Sequence, residues 1–313
     1  MTAIEVLATV PFEPNAIAGL DAAYKLHRLW DAADRDAFLA EIAPRVRGMA
    51  TGFSVGAPAQ LIDRFPKLEI IANFGVGYEK VDVGHARQKG IAVTNTPDVL
   101  TDEVADLAIA LWLMTSRRLG AAERYLRAGK WPQGSFPLAH SIEKRRVGIL
   151  GMGRIGQAIA RRALLFGADI RYSQPRPKAG VDFQHEPDPV ALAAWAEVLI
   201  VATPGGAATK GLVDERVIAA LGTKGTLINI ARGSVVDEPA LVRALTEGRL
   251  GSAGLDVFAD EPKVPDALIG LDNVVLLPHV ASATVETRRA MGQLVLDNLA
   301  AHFAGRPLLT PVP

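Results

Sequence analysis

Short apolar runs alternate with amphipathic stretches along the first hundred residues, a pattern that predicts strands alternating with helices. The predicted strands are 4–9, 24–30, 46–51, 69–73 and 91–94, and the predicted helices are 14–22, 34–42, 57–64 and 80–89. This spacing is typical of a parallel, doubly wound sheet. Gly90 stands where a glycine that ends a helix is expected.

A second series of the same kind starts at Arg146. It predicts strands at 146–150, 168–172, 198–202, 226–231, 252–257 and 274–277, and helices at 153–166, 188–195, 214–221 and 237–247. A last helix is predicted from Thr284 to about Ala304, capped by Thr284 or Ser282 and ended by Gly305. We expect domain boundaries near 97–99 and 281–285, with the first domain discontinuous if this helix packs back on it.

The stretch 99–128 between the two series predicts one long helix. Its middle, 107–114, is apolar on nearly every face, whereas a helix lying on one sheet needs only one apolar stripe. The second apolar face needs another cover. Either a partner subunit or the other domain of the same chain could cover this face.

Composition narrows the class of protein. A chain of 313 residues with 49% hydrophobic residues suits two domains with substantial cores. The 34 basic and 34 acidic residues balance, which argues against nucleic acid or an anionic membrane as the main partner. The chain has no cysteine, so disulfides, thiolate metal ligands and a cysteine nucleophile are excluded. We expect no metal, no signal peptide and a cytoplasmic location.

A glycine-rich loop carries the strongest local signal. The apolar strand at 146–150 runs into Gly151-x-Gly153-x-x-Gly156, and a helix follows at once. In a dinucleotide-binding turn the first glycine permits the turn, the second admits the pyrophosphate and the third lets the helix approach the strand. The helix N-terminus attracts the anion, and Arg154 adds a charge. The alternative is a glycine-rich turn without a ligand.

The end of the next strand bears on which dinucleotide binds. Proteins that bind NAD usually place an acidic residue there for the ribose hydroxyls, whereas this chain has Ser173, followed by Arg176 and Lys178. An acid would repel a 2′-phosphate, and these groups would bind one. The sequence therefore favours NADP(H), with NAD(H) still possible, unless Arg176 and Lys178 are only solvated loop charges.

Three polar residues follow predicted strands in the second series: Arg232, Glu261 and His279. Ligands of doubly wound sheets lie beyond the carboxyl ends of the strands, so these residues are placed to meet. Arginine binds a carboxylate with a planar set of donors, histidine gives a proton near neutral pH, and a neighbouring carboxylate orients the imidazole and stabilises its charged form. Each residue alone has an ordinary structural explanation; together they predict reduction of a 2-keto acid.

The turn 73–77 is the candidate contact in the first domain. It is glycine-rich and follows a predicted strand, so its N–H groups can meet an anion. An ordinary βα turn is the alternative.

The chain resembles the D-2-hydroxyacid dehydrogenases, most closely the hydroxyphenylpyruvate, hydroxypyruvate and glyoxylate reductase branch. The resemblance extends over the whole chain. The stretches that carry it are 65–70, 93–102, 104–108, the glycine loop, 227–233, 248–251, 253–258, 273–279 and 307–311. It implies a Rossmann nucleotide domain at 99–284, a flavodoxin-like substrate domain at 1–98 and 285–313, a cleft between them, and a homodimer formed through the nucleotide domains.

The resemblance also implies roles for individual residues. Arg232 would bind substrate, Glu261 would support the acid and His279 would be the acid/base, while Val76 and Gly77 would hold the substrate carboxylate. The implied cofactor contacts are Thr101, Gly151, Gly153, Arg154, Ile155, Gly156, Ser173, Gln174, Arg176, Thr203, Pro204, Ile230 and Asp256, with Asp256 near the nicotinamide carboxamide. The loop 203–209 is richer in Gly and Ala than is usual in the family. Phe74 and 131–136 border the pocket in relatives, where they either admit larger keto acids or fill the core or a dimer contact.

These observations predict NADPH-dependent reduction of small 2-keto acids, glyoxylate or hydroxypyruvate, to D-2-hydroxy acids. The alternatives are an aryl-pyruvate reductase, a phosphoglycerate or formate dehydrogenase, and a dinucleotide-sensing protein like the corepressors that share this fold. The cofactor loop argues against the phosphoglycerate and formate enzymes. The presence of all three polar residues argues against the corepressor.

Overall fold

A computed structural model describes residues 3–313. Met1 and Thr2, which open the segment judged to be a strand rather than a signal peptide, lie outside the described residues. The chain divides into two compact units. One comprises the residues up to Leu100 together with Ser282–Pro313, and the other comprises Thr101–Ala281.

The first unit is built on a five-stranded parallel sheet of order β2-β1-β3-β4-β5. Its strands are β1 Glu5–Ala8, β2 Lys25–Arg28, β3 Val46–Gly52, β4 Ile70–Phe74 and β5 Ala92–Thr94. Its helices are α1 Pro14–Ala23, α2 Arg35–Ile42, α3 Ala59–Ile62, α4 Val83–Gln88 and α12 Val285–Phe303. Strand β4 is buried at every position, as expected of a central parallel strand covered on both faces.

The C-terminal segment belongs to this first unit. Helix α12 packs against α1 so closely that a Cβ on Gly292 would come within 2.5 Å of the Ala16 Cβ. The buried Asn298 fixes the segment that follows the helix. Its side chain accepts from the Thr310 N–H and donates to the Thr310 hydroxyl. Thr284 caps α12, as predicted, by accepting from the Thr287 N–H.

The second unit contains a seven-stranded parallel sheet of order β12-β11-β10-β9-β6-β7-β8. Its strands are β6 Arg146–Leu150, β7 Asp169–Ser173, β8 Gln184–His185, β9 Val198–Val201, β10 Thr226–Asn229, β11 Ser252–Leu255 and β12 Val274–Leu276. Its helices are α5 Thr101–Ser116, α6 Leu119–Arg127, α7 Arg154–Leu164, α8 Pro189–Trp195, α9 Glu215–Leu221, α10 Glu238–Thr246 and α11 Asp266–Ile269.

The fold class predicted from the sequence, two parallel-sheet α/β units, is confirmed. The prediction of one helix over 99–128 is wrong. Arg118 adopts a left-handed conformation with φ of 53° and separates α5 from α6, since a helix cannot continue through that geometry. Helix α4 begins at Val83 rather than at 80 because the Asp82 side chain caps it. The short β8 and α11 were not predicted.

Membrane-spanning helices and metal-binding clusters are both absent from the described residues. No helix within residues 3–313 is long and apolar enough to cross a membrane. In the same part of the chain, no group of three or more His, Cys, Asp and Glu side chains is arranged to hold a metal ion.

Candidate active site

The glycine loop after β6 has the geometry of a close-packed turn with one open position. A Cβ on Gly151, where φ is +94°, would lie 2.8 Å from the Thr203 Cα, and a Cβ on Gly156 would lie 2.1 Å from the Gly151 carbonyl oxygen. Both positions therefore exclude any side chain. Gly153 is different: nothing lies within 4 Å of its Cβ position, so this glycine leaves open space for a ligand.

Helix α7 starts directly behind this open space. Its N-cap is Gly153, which has no side chain to cap the helix, whereas Asp188 caps α8 and Asp214 caps α9 through carboxylate oxygens. The N-terminal N–H groups and the positive end of the helix dipole are thus oriented for an anion. The residues present fit the pyrophosphate of a dinucleotide.

The loop after β7 lies against the glycine loop. The Gly151 N–H donates to the Ser173 carbonyl at 2.9 Å, and the Met152 N–H donates to the Gln174 side-chain oxygen at 3.1 Å. The buried Ser173 hydroxyl donates to the Pro187 carbonyl at 3.2 Å, so it is engaged inside the unit. Arg176 is exposed, and the Gln174 amide donates to its carbonyl at 2.7 Å. Arg176 and Lys178 are therefore both accessible cations of this loop.

Three neighbouring strands at one edge of the second sheet carry the predicted catalytic residues. Strands β10, β11 and β12 pair in parallel and in that order, so their carboxyl ends lie side by side. Arg232 follows β10, Glu261 follows β11 and His279 follows β12. The three residues therefore follow neighbouring strands of one unit, as the sequence predicts.

His279 and Glu261 form a direct pair. The His279 Nδ1 lies 2.7 Å from Glu261 Oε2, and the Phe258 N–H donates to Glu261 Oε1 at 3.0 Å. Burial acts to raise the pKa of Glu261, but the hydrogen bonds from His279 and Phe258 and the charges of His279 and Arg232 outweigh it, so that its pKa lies below its usual value. Because Glu261 is then ionised at neutral pH, Nδ1 donates the proton. Nε2 is the ring atom that can exchange a proton with a ligand.

Asp256, a predicted cofactor contact, holds the histidine segment from within the core. It is 0% exposed, and its carboxylate accepts from the Val280 N–H at 2.8 Å and the Ala281 N–H at 2.9 Å. Its carbonyl accepts from the His279 N–H at 2.8 Å. Burial raises the pKa of Asp256 above its usual value. The two hydrogen bonds to its carboxylate act in the opposite direction but do not outweigh burial. Its contact with a cofactor stays a prediction, whereas its positioning of 279–281 is visible.

The turn that presents Arg232 depends on a residue that the sequence argument missed. The buried Asn229 side chain accepts from the Ala231 N–H and donates to the Arg232 carbonyl, both at 3.0 Å. A Cβ on Gly233 would lie 1.9 Å from the Phe258 carbonyl carbon, so glycine is required where this turn touches the Glu261 segment. The sequence did contain a signal for this turn, namely an Asn at the strand end, three residues before the arginine.

The other predicted residues are distributed over both units. In the first unit, the Asn95 amide donates to the Val76 carbonyl at 2.9 Å and the Asn73 amide donates to the Gly77 carbonyl at 3.0 Å, which fixes the turn. In the second unit, the remaining predicted cofactor contacts lie at element ends: Thr101 opens α5, Arg154 and Ile155 open α7, Thr203 and Pro204 follow β9, and Ile230 follows β10.

Comparison with known proteins supplies an independent assignment. The family described as D-isomer specific 2-hydroxyacid dehydrogenase, NAD binding domain, matches residues 109–281. Glyoxylate/hydroxypyruvate reductase A of Arabidopsis thaliana is 50% identical over 312 residues, which cover 100% of both chains. Hydroxyphenylpyruvate reductase of Plectranthus scutellarioides is also 50% identical, with the same coverage.

A solved structure agrees. The NADPH-dependent glyoxylate/hydroxypyruvate reductase from Sinorhizobium meliloti, solved in complex with NADP and malonate, superposes with a TM-score of 0.94 at 48% identity, covering 99% of this chain and 97% of that one. The resemblance inferred from the sequence motifs is confirmed. The chain belongs to the D-isomer specific 2-hydroxyacid dehydrogenases and is an NAD(P)-dependent oxidoreductase of that family.

Proposed function

We propose that this protein reduces small 2-keto acids, glyoxylate and hydroxypyruvate foremost, to D-2-hydroxy acids with NADPH. The observation that carries the proposal is the 2.7 Å contact between His279 Nδ1 and an ionised Glu261, two residues that follow β12 and β11, with Arg232 following the next strand, β10. The relatives named for these two substrates support the choice of substrate.

Each of the three residues has one task in this reaction. Arg232 binds the substrate carboxylate; its Nη1 donates to the Ala231 carbonyl at 2.6 Å, which holds one side of the guanidinium in place. A bound NADPH would supply the hydride that the carbonyl carbon needs. His279 Nε2 gives the proton to the carbonyl oxygen, and Glu261 stabilises the imidazolium and keeps Nδ1 protonated. In the first unit, we propose the Val76 and Gly77 amides as carboxylate contacts.

The preference for NADPH rests on charge. The side chain at the end of β7 is the neutral Ser173, so nothing at that position repels a 2′-phosphate, and Arg176 supplies an accessible guanidinium. The relative from Sinorhizobium meliloti, which is NADPH-dependent, supports this assignment.

We also propose a homodimer formed through the nucleotide unit. Apolar side chains stand exposed along 126–138: Leu126 is 56%, Trp131 66% and Leu138 97% exposed. Because large apolar side chains exposed within one short segment favour an interaction site, we assign this segment to the dimer contact. A cytoplasmic location stays a prediction.

Replacing His279 by Ala is expected to lower kcat with glyoxylate at least about 100-fold, as for loss of a general acid, while NADPH still binds. Steady-state kinetics and a fluorescence titration of NADPH measure the two effects. The matched control is His140→Ala, which removes an exposed histidine of the same unit and should leave kcat unchanged. Near-normal turnover in His279→Ala would contradict the assignment.

Replacing Arg176 by Ala is expected to lower kcat/KM for NADPH roughly 10- to 100-fold, the effect of losing a hydrogen bond to a charged group, with little change for NADH. The ratio of the two efficiencies is the readout. Arg161→Ala, which removes an exposed arginine of α7, should leave the ratio as in the wild type. Equal losses with both dinucleotides would remove Arg176 from 2′-phosphate recognition.

Two alanine variants of the glycine loop should behave differently. Gly153→Ala places a methyl group in open space, so the thermal midpoint should stay unchanged while NADPH affinity falls. Gly156→Ala forces a methyl group against the Gly151 carbonyl, so the thermal midpoint itself should fall. Thermal unfolding without dinucleotide and titration with NADPH test the pair. Unchanged NADPH affinity in Gly153→Ala would argue against the proposed pyrophosphate site.

Light scattering after size exclusion should give the wild type twice the chain mass of 33.2 kDa. Leu138→Asp is expected to shift this towards the monomer, because a buried charge would destabilise the interface. Leu309→Asp alters a leucine of the first unit that is 52% exposed and should leave the mass unchanged. A wild-type monomer would refute the dimer.

A further inference from the structure

The segment that carries the two accessible cations after β7 contains two prolines. Its sequence is Gln174-Pro175-Arg176-Pro177-Lys178, and the residues from Pro175 to Lys178 are exposed. Each proline fixes its own φ near −65° and restricts the residue before it to extended conformations, so Gln174 and Arg176 have little backbone freedom. A short, stiff segment of this kind presents its cations in one place if both of its ends are held.

His185 holds the first end of the segment. Its Nε2 lies 2.8 Å from the Gln174 carbonyl oxygen. Because a carbonyl oxygen only accepts, Nε2 carries a proton and donates it. The Gln174 side chain adds two bonds, since it accepts from the Met152 N–H and donates to the Arg176 carbonyl. The first end is therefore bonded both to β8 and to the glycine loop.

Tyr172 holds the second end. It is only 1% exposed, yet its hydroxyl accepts from the Lys178 N–H at 2.9 Å. Tyr172 and His185 are partners in the pairing of β7 with β8, and their ring centroids are 5.2 Å apart. The two anchors thus support each other. The two-residue strand β8 has a role here, because it presents His185 beside Tyr172.

Both anchors bond backbone atoms of the segment and leave its cationic side chains exposed. A guanidinium on a backbone that is already ordered loses less conformational freedom when it binds a phosphate than one on a mobile loop. The 2′-phosphate is the group that distinguishes NADPH from NADH. Loss of an anchor should therefore weaken the binding of NADPH selectively.

We propose that Tyr172 and His185 are positioning residues for recognition of the 2′-phosphate, which hold the segment 174–178 at both ends so that Arg176 and Lys178 meet this group. The inference rests on the proposed function, since it takes these two cations as the contacts of the NADPH phosphate. It assigns the preference for NADPH to two aromatic side chains that do not themselves bind the phosphate.

The first test compares kcat/KM for NADPH and for NADH, with glyoxylate as substrate. Tyr172→Phe removes only the hydroxyl, and it should lower the efficiency with NADPH roughly 3- to 10-fold through a higher KM, with kcat and the efficiency with NADH unchanged. The matched control is Tyr24→Phe, the same change at a partly buried tyrosine of the first unit. It should leave the ratio of the two efficiencies as in the wild type.

A pair of substitutions at His185 separates the hydrogen bond from the packing of the ring. His185→Met removes the donor and should lower the ratio of the efficiencies in the same way as Tyr172→Phe. His185→Gln has nearly the shape of the Met variant but donates from its amide, so the ratio should stay within about 2-fold of the wild type. Thermal midpoints without dinucleotide show whether each variant is folded.

The second test removes the cations that the anchors position. In Arg176→Ala/Lys178→Ala the ratio should already be low, and adding Tyr172→Phe should change it by less than about 2-fold, because residues that act through one another are not additive. A full additional loss in that background would overturn the inference. Equal losses with both dinucleotides in Tyr172→Phe, or an unchanged ratio there while the cation variant lowers it, would also overturn it and leave the proposed function standing.

A wild type that does not reduce glyoxylate with either dinucleotide would instead contradict the proposed function. Calorimetric titration with adenosine 2′,5′-bisphosphate then tests the anchors without a keto acid. Binding by the wild type that is weakened in Tyr172→Phe and not in Tyr24→Phe would support them. Absence of binding, or equal binding by the wild type and Tyr172→Phe, would overturn the inference.

Discussion

The hydrogen bond between His279 Nδ1 and the Glu261 carboxylate determines what this site can do. It fixes the ring orientation and the tautomer together, because an ionised carboxylate can only accept. The proton that can be transferred is then on Nε2. His279 makes this bond from a backbone conformation with φ of 53°, which costs a residue with a side chain about 1–2 kcal/mol. The buried Asp256 offsets this cost by accepting three N–H groups of the 279–281 segment through its carboxylate and carbonyl oxygens.

The second sheet sets the spacing between the nucleotide loop and the strands that precede Arg232, Glu261 and His279. Strand β9 alone separates β6, which carries the glycine loop, from β10, which carries Arg232. The ends of β6 and β10 are therefore two strand spacings apart, about 10 Å. Because the strands are parallel, the order β12-β11-β10-β9-β6 places the anion site at the N-terminus of α7 and the histidine pair at the carboxyl ends of strands in the same sheet. The parallel sheet, with its strand β9 buried at every position, keeps that distance rigid.

Much of this arrangement could be predicted from the sequence, because it depends on local patterns. Strand periodicity located every strand except β8, the glycine spacing identified the nucleotide loop, and the strand ends located Arg232, Glu261 and His279. The parts that could not be predicted depend on contacts between distant segments. The break at Arg118 depends on a left-handed backbone conformation that no residue type nearby predicts. The positioning role of Asp256 depends on N–H groups more than twenty residues away.

A crystal structure with NADP and oxamate, an unreactive analogue of a 2-keto acid, tests the central claim most directly. We predict that the oxamate carboxylate lies on Arg232 and its amide-carbonyl oxygen within about 3 Å of His279 Nε2, with Nδ1 still bonded to Glu261. Oxamate bound away from Nε2, or a histidine ring turned from Glu261 in that complex, would contradict it.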